Sequence, residues 1–141
     1  LENSSFIASS SNPDPKNHGR GFVARLSGTT VEMLNIWKIM MVGMKLFTYE
    51  NNILKFKLNP ILNKDFFKSN ILTTTLLGSI KLTYINKNDK NTYGENKGTI
   101  KELKIVDLDG SIKVINGSEV CGEYAEKIRG RQVKEIEAII L

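Results

Sequence analysis

The 141-residue chain holds one cysteine, one histidine and three prolines, and each scarcity closes off a class of chemistry. A single Cys121 has no partner for an internal disulfide and stands in no metal or redox spacing, which fits a reducing, cytoplasmic setting. A single His18 excludes a two-histidine metal site and any dyad that needs a second imidazole, so no metal and no cofactor is expected. Long apolar runs are missing as well. The greasiest stretch, Ile36 to Phe47, is broken by Lys38, Gly43 and Lys45 and falls short of the roughly 20 apolar residues of a spanning helix. No membrane role is expected. The opening segment, LENSSFIASSSNPDPKNHGRG, has neither the basic start nor the apolar run of a secretory signal, and it reads as the interior of a longer protein.

What is present is an ordinary apolar share of 40% and a charged share of 25%, which disfavour disorder. A chain of this length buries well over half of the surface its unfolded form exposes, so a real core is expected. The net charge of +5 could draw phosphate or nucleic acid. Its lysines, however, are scattered rather than blocked and are not interleaved with aromatics, so no nucleic-acid partner is expected.

The pattern changes near Leu46. Before it lie a polar loop with Pro13 and Pro15 and then a helix; after it come short apolar segments divided by turn residues. The boundary is placed between Met44 and Phe47, giving a first part over 1–46 and a β domain over 47–141. Thr29 and Glu32 form a capping-box pattern that opens the helix, and Gly43 supplies the left-handed residue that ends it. Met33, Leu34, Trp37, Met40, Met41 and Met44 make one stripe, while Val31, Ile36, Ile39 and Val42 carry apolar surface around the rest. A helix greasy on every side belongs inside a larger assembly. Left uncovered it would drive self-association, so a homodimer is one expected state.

In the second part Leu54, Phe56 and Leu58 alternate with Lys55 and Lys57, the period of a half-buried strand ended by Asn59-Pro60. Thr73 to Ile85 reads as one long strand with a bulge or bend at Gly78. Asp109-Gly110 predicts a hairpin between Leu103–Leu108 and Ser111–Ile115. The β-branched content of QVKEIEAIIL predicts a final strand. Five or six such strands predict a two-layer β-sandwich or open barrel, so the fold class is α+β, mainly β.

One loop has the residues for chemistry. Ser27, Gly28, Thr29 and Thr30 stand where the helix begins, with Arg25 two residues before Ser27. Unpaired amides and the positive end of the macrodipole make such a place able to hold an anion, with hydroxyls donating and Gly28 letting the backbone come close. The same residues also read simply as a helix cap.

The run LSGTTVEMLNIWKIMMVGMKLFTYENNILKFKLNPIL, followed by LLGSIKLTYIN, resembles the carboxyl-terminal part of the inverting β-glucoside phosphorylases, the cellobiose phosphorylase family. The order of Ser27-Gly28-Thr29, the helix to Gly43, Asn59-Pro60-Ile61-Leu62, Leu77-Gly78 and Tyr84-Ile85-Asn86 carries the likeness. The upstream NPDPKNHG sits where that family has a loop with Pro and His-Gly. The likeness is strongest from Gly21 to Asn86 and weak after Asn96, and the 1,2-β-oligoglucan phosphorylases are the nearer branch.

The resemblance implies the end of an (α/α)6 barrel followed by a jelly-roll-like β-sandwich, with Ser27, Gly28 and Thr29 binding inorganic phosphate as a substrate. Here Ser27 stands where the family has threonine. The partners implied are a β-glucoside or oligoglucan, inorganic phosphate, and the remainder of the phosphorylase chain. The family's general acid, a phosphate-binding histidine and arginines belong to the upstream barrel, so no catalytic residue is expected here and the chain alone should be inactive. The other reading, from a different class, is a non-catalytic carbohydrate-binding or structural β domain preceded by a helix.

The remaining polar and aromatic residues have plainer readings. His18 lies in an exposed loop. Trp37 has the helical spacing of a core residue. Tyr49, Tyr84, Tyr93 and Tyr124 fit strand faces. Asp107 and Asp109 sit where aspartates serve a turn. Glu123, Glu126, Lys127, Arg129, Arg131, Lys134, Glu135 and Glu137 read as a solvated face.

Overall fold

A computed structural model describes residues 6–22 and 27–141, and the side chains of residues 7–21 and 30–141. It divides into two compact units, Leu1–Asn35 and Ile36–Leu141. The second unit therefore begins inside the helix rather than near Phe47.

In the first unit, β1 (Phe6–Ile7) and β2 (Gly21–Phe22) pair antiparallel, Phe6 opposite Phe22 and Ile7 opposite Gly21. The loop between them is shaped by Asp14, whose carboxylate caps a short 3-10 turn over Pro15–Asn17 by accepting from the Lys16 amide at 3.0 Å. Proline at the start of that turn loses nothing, because its missing donor would be unpaired there anyway.

Helix α1 runs from Ser27 to Val42, three residues earlier than a cap at Thr29 requires, and Gly43 follows it at φ +95°. Each of its last four carbonyls is met individually. The Gly43 amide donates to Ile39 (2.8 Å), the Ile61 amide to Met40 (2.8 Å), the Tyr84 hydroxyl to Met41 (2.6 Å) and the Asn59 amide to Val42 (3.1 Å). A Cβ built on Gly43 would lie 2.8 Å from the Asn59 carbonyl oxygen, so glycine serves both the left-handed φ and a close backbone approach.

Alternation organises the rest. Strand β3 (Phe47–Glu50) and β4 (Ile53–Lys57) form a hairpin through Asn51 and Asn52, both left-handed (φ 49° and 61°), a conformation asparagine tolerates well. Leu54 and Phe56 point inward and are fully covered, as the alternation predicts. The stretch expected as one strand from Thr73 to Ile85 is instead two, β5 (Ile71–Leu76) and β6 (Ile80–Asn86). Leu77 and Gly78 both take positive φ, 51° and 79°, and the Ser79 amide donates to Leu76, so Gly78 makes a turn and not a bulge.

The hairpin around Gly110 is present as β7 (Ile100–Asp107) and β8 (Ile112–Asn116). After β9 (Glu119–Cys121) comes a helix, α2 (Glu123–Arg129), where a solvated charged stretch was expected. It buries Ala125 and Ile128, and it sets Glu123 and Glu126 in its first turn and Lys127 and Arg129 in its last, the charge order a helix dipole favours. Strand β10 (Val133–Ile140) closes the chain as predicted.

The strands make a five-stranded sheet in the order β5-β6-β10-β7-β8 and a three-stranded sheet in the order β3-β4-β9. Residues of both share one apolar core, a β-sandwich-like arrangement of the mainly β class. Strand β10 lies parallel to β6 and antiparallel to β7, a mixed sheet that departs from an all-antiparallel jelly roll. Its inward residues Ile136, Ala138 and Ile140 are fully covered. Its outward glutamates pair across strands, Glu135 with Lys81 (2.8 Å) and Glu137 with Lys104 (3.0 Å), so those charges do form a solvated face.

Candidate functional site

The first turn of α1 contains Ser27, Gly28 and Thr29. They are part of the helix and not a loop before it; their side chains, like Arg25, lie outside the described residues. What the backbone supplies is the start of a helix of 16 residues, whose first N–H groups have no partner within the helix.

In the loop between β1 and β2, His18 is exposed, and its Nε2 lies 2.9 Å from the Asn12 carbonyl, to which it donates. That bond closes the loop upon itself, together with the Asp14 amide on the Asn12 side chain at 3.0 Å.

Along α1, Val31, Met33 and Leu34 are 62–66% exposed and Ile36 and Trp37 are 53% and 50% exposed. Among its described side chains only Met41 and Val42, at the anchored end, are buried. Trp37, expected in a core, is packed edge-on against Phe66 with ring centroids 6.5 Å apart. Both faces of the helix therefore show apolar surface.

The tyrosines occupy four different elements. Tyr49 on β3 is exposed and Tyr93, in the loop before β7, is half-exposed. Tyr84 on β6 is fully buried, and burial pushes its phenol well above the ordinary range, which keeps it a hydrogen-bond donor. Tyr124 on α2 lies under the Lys127 ammonium, 4.7 Å from the ring centroid.

One part-buried ion pair joins the hairpin to α2. Asp107, read from sequence as a turn residue, accepts from Lys127 at 3.1 Å, and its side chain is 10% exposed. The bond to Asp107 raises the Lys127 pKa. Among the described residues the other Asp107 oxygen, Oδ1, has no hydrogen-bond partner. Asp109 does serve the turn: it accepts from the Ser111 hydroxyl (2.7 Å) and amide (2.9 Å), and these bonds hold its carboxyl below the ordinary value.

A cleft of about 100 Å³ lies between Asn59-Pro60, Thr92 and the segment Lys97–Ile100. Thr92 at its wall is committed to the fold, accepting from the Leu62 amide and donating to the Pro60 carbonyl, both at 2.7 Å. Among the described residues no group of three or more His, Cys, Asp or Glu could hold a metal, and no helix is long and apolar enough to cross a membrane.

No protein-family model matches the chain, and no curated protein or solved structure matches it.

Proposed function

We propose that the chain is the carboxyl-terminal part of a cytoplasmic glycoside phosphorylase of the cellobiose phosphorylase kind, in which the first turn of α1 helps hold the attacking phosphate. The observation that carries this reading is the state of α1: Val31, Met33, Leu34, Ile36 and Trp37 are half-exposed or more, so apolar surface is open to solvent around most of the helix beside its polar stripe of Glu32, Asn35 and Lys38. Taking about 1.5–3 kcal/mol for each large apolar side chain, leaving five of them wet forgoes several kcal/mol of burial. The last helix of an (α/α)6 barrel recovers that burial against its neighbours. The likeness of the Ser27-Gly28-Thr29 run to the family's phosphate loop supports the same reading.

In this reading phosphate attacks the anomeric carbon of a β-glucoside or oligoglucan on one face. An aspartic acid of the barrel protonates the leaving oxygen on the other, and α-glucose 1-phosphate is released. The contribution of this chain is positional: amides of the helix start, with Ser27 and Thr29, hold the dianion in line. The β unit packs beside the barrel.

The test is phosphorolysis. A parent protein that carries helical hairpins before Leu1, given cellobiose or β-1,2-glucan oligomers, is expected to release α-glucose 1-phosphate only when inorganic phosphate is supplied; this chain alone is expected to release none. A parent without such hairpins, or one that binds glucans and leaves them intact with or without phosphate, overturns the reading in favour of a non-catalytic carbohydrate-binding or structural domain.

A further inference from the structure

An open sheet has edges, and among the described residues three of the four edges of the five- and three-stranded sheets carry a recognised guard. Strand β9 has only three residues, β3 has four and ends at Glu50, and β8 carries Lys113 near its centre. Strand β5 has no such protection. Its sequence, ILTTTL, contains no charge and no proline, and it keeps an unbroken register with β6 from Ile71 opposite Ile85 to Leu76 opposite Ile80.

The register also fixes which of its peptide groups are free. The Asn86 amide donates to the Asn70 carbonyl at 2.8 Å, so even-numbered residues face β6 and odd-numbered ones turn their N–H and C=O away. The 3.5 Å approach of the Thr73 and Thr83 hydroxyls agrees, since side chains come closest in pairs that share no backbone bond. Ile71 exchanges both of its bonds with Lys68, each at 3.0 Å. Among the described residues, nothing answers the outward N–H and C=O of Thr73 and Thr75.

The segment Leu72-Thr73-Thr74-Thr75-Leu76 reads the same in both directions. A twofold contact requires a surface complementary to itself, and this one is. An axis normal to the sheet, beside Thr74 and midway between the two strands, sets Thr73 opposite Thr75 of the second copy, Thr74 opposite Thr74 and Leu72 opposite Leu76. Each of the free groups on Thr73 and Thr75 then finds a partner, and each face of the sheet continues into the same face of the copy.

We infer that β5 is a self-pairing edge, on which a second copy of this chain docks antiparallel about Thr74 to make one continuous sheet. The contact is small, so the dimer is a weak one that exchanges with monomer. This pairing does not depend on the phosphorylase reading.

Sedimentation equilibrium of the whole chain tests it against two double variants. Thr73→Lys with Thr75→Lys puts lysine opposite lysine on both sides of the axis and is expected to raise the dissociation constant about tenfold. Thr73→Lys with Thr75→Glu puts lysine opposite glutamate and is expected to restore association. Both threonines are exposed, so the urea midpoint should hold in each variant. A chain that stays monomeric, or association of equal strength in all three proteins, overturns the proposal.

A covalent readout covers the case in which the lysines disturb the strand. In a Cys121→Ser background, Thr74→Cys brings two thiols to a pair with about 4.5 Å between Cα atoms, within disulfide reach, and should oxidise to a dimer. Thr73→Cys should not. A covalent dimer from Thr73→Cys and none from Thr74→Cys overturns the register and the proposal with it.

Discussion

Tyr84 and Met41 are joined by a 2.6 Å hydrogen bond from a fully buried phenol on β6 to a carbonyl in the last turn of α1. The bond meets a carbonyl that the helix itself cannot pair, and no other side chain hydroxyl of the described residues performs that service. Replacing Tyr84 with phenylalanine keeps the ring and strands the Met41 oxygen in the core. The expected cost is about 1–3 kcal/mol, read as a lower urea midpoint with an unchanged slope.

Gly43 combines a left-handed φ with an approach of 2.8 Å between a notional Cβ and the Asn59 oxygen. Gly43→Ala is expected to destabilise by at least about 2 kcal/mol, because conformational strain and overlap add. Gly117, also left-handed at φ +95° but with open space around it, isolates the first effect. Gly117→Ala should cost clearly less in the same denaturation experiment.

Acid and base act on opposite sides of one loop. The Asp109 carboxyl is held below 3.8 by Ser111, so its contribution is fully present above pH 3.8 and is lost as pH falls through the lowered value. Lys127 is held above 10.5 by Asp107, so its contribution is fully present below pH 10.5 and is lost as pH rises through the raised value. Ser111→Ala should flatten the acid limb of a stability–pH profile and leave the alkaline limb, whereas Lys127→Met should flatten the alkaline limb with only a minor effect on the acid limb, where Lys127 also helps lower the Asp109 pKa. Loss of the same limb in both variants would contradict these assignments.

Trp37 is the only tryptophan and is half-exposed, which makes it a clean reporter of what covers α1. Its emission in the isolated chain is expected to be that of a wet indole, readily quenched by acrylamide. On the proposed reading, the same indole in a longer phosphorylase chain should shift to the blue and resist quenching. Equal quenching in both would show that the helix stays uncovered.

On the proposed reading, Gly28→Val in a full-length phosphorylase is expected to raise KM for inorganic phosphate more than KM for the glucoside, since it crowds the amides proposed to hold the anion. Loss of both to the same extent would point to a damaged helix start instead of a phosphate contact.

The strands were legible wherever one face is buried and the other wet. Leu54 and Phe56 against Lys55 and Lys57, and Ile136, Ala138 and Ile140 against Glu135 and Glu137, announce their faces in the order of residues alone. The end of α1 was legible too, because Gly43 is the residue a left-handed cap asks for. Gly78 misled because a bulge and a turn make the same local demand on φ, and only the pairing of Leu76 with Ile80 separates them. The short helix α2 escaped because it buries just Ala125 and Ile128, too few positions to set a period. Likewise nothing local places β10 between β6 and β7, or brings Lys127 to Asp107, since those partners stand far apart along the chain. For the candidate site the position of Ser27, Gly28 and Thr29 at a helix start was legible from the Ser-Gly-Thr-Thr run, though the helix takes those residues into itself.

The tie between helix end and strand has a thermodynamic consequence. The final turn of α1 is fastened by peptide groups of Asn59 and Ile61 and by a side chain from the middle of β6. It cannot fray without opening the sheets, so its amide hydrogens should exchange with solvent only when the whole second unit melts.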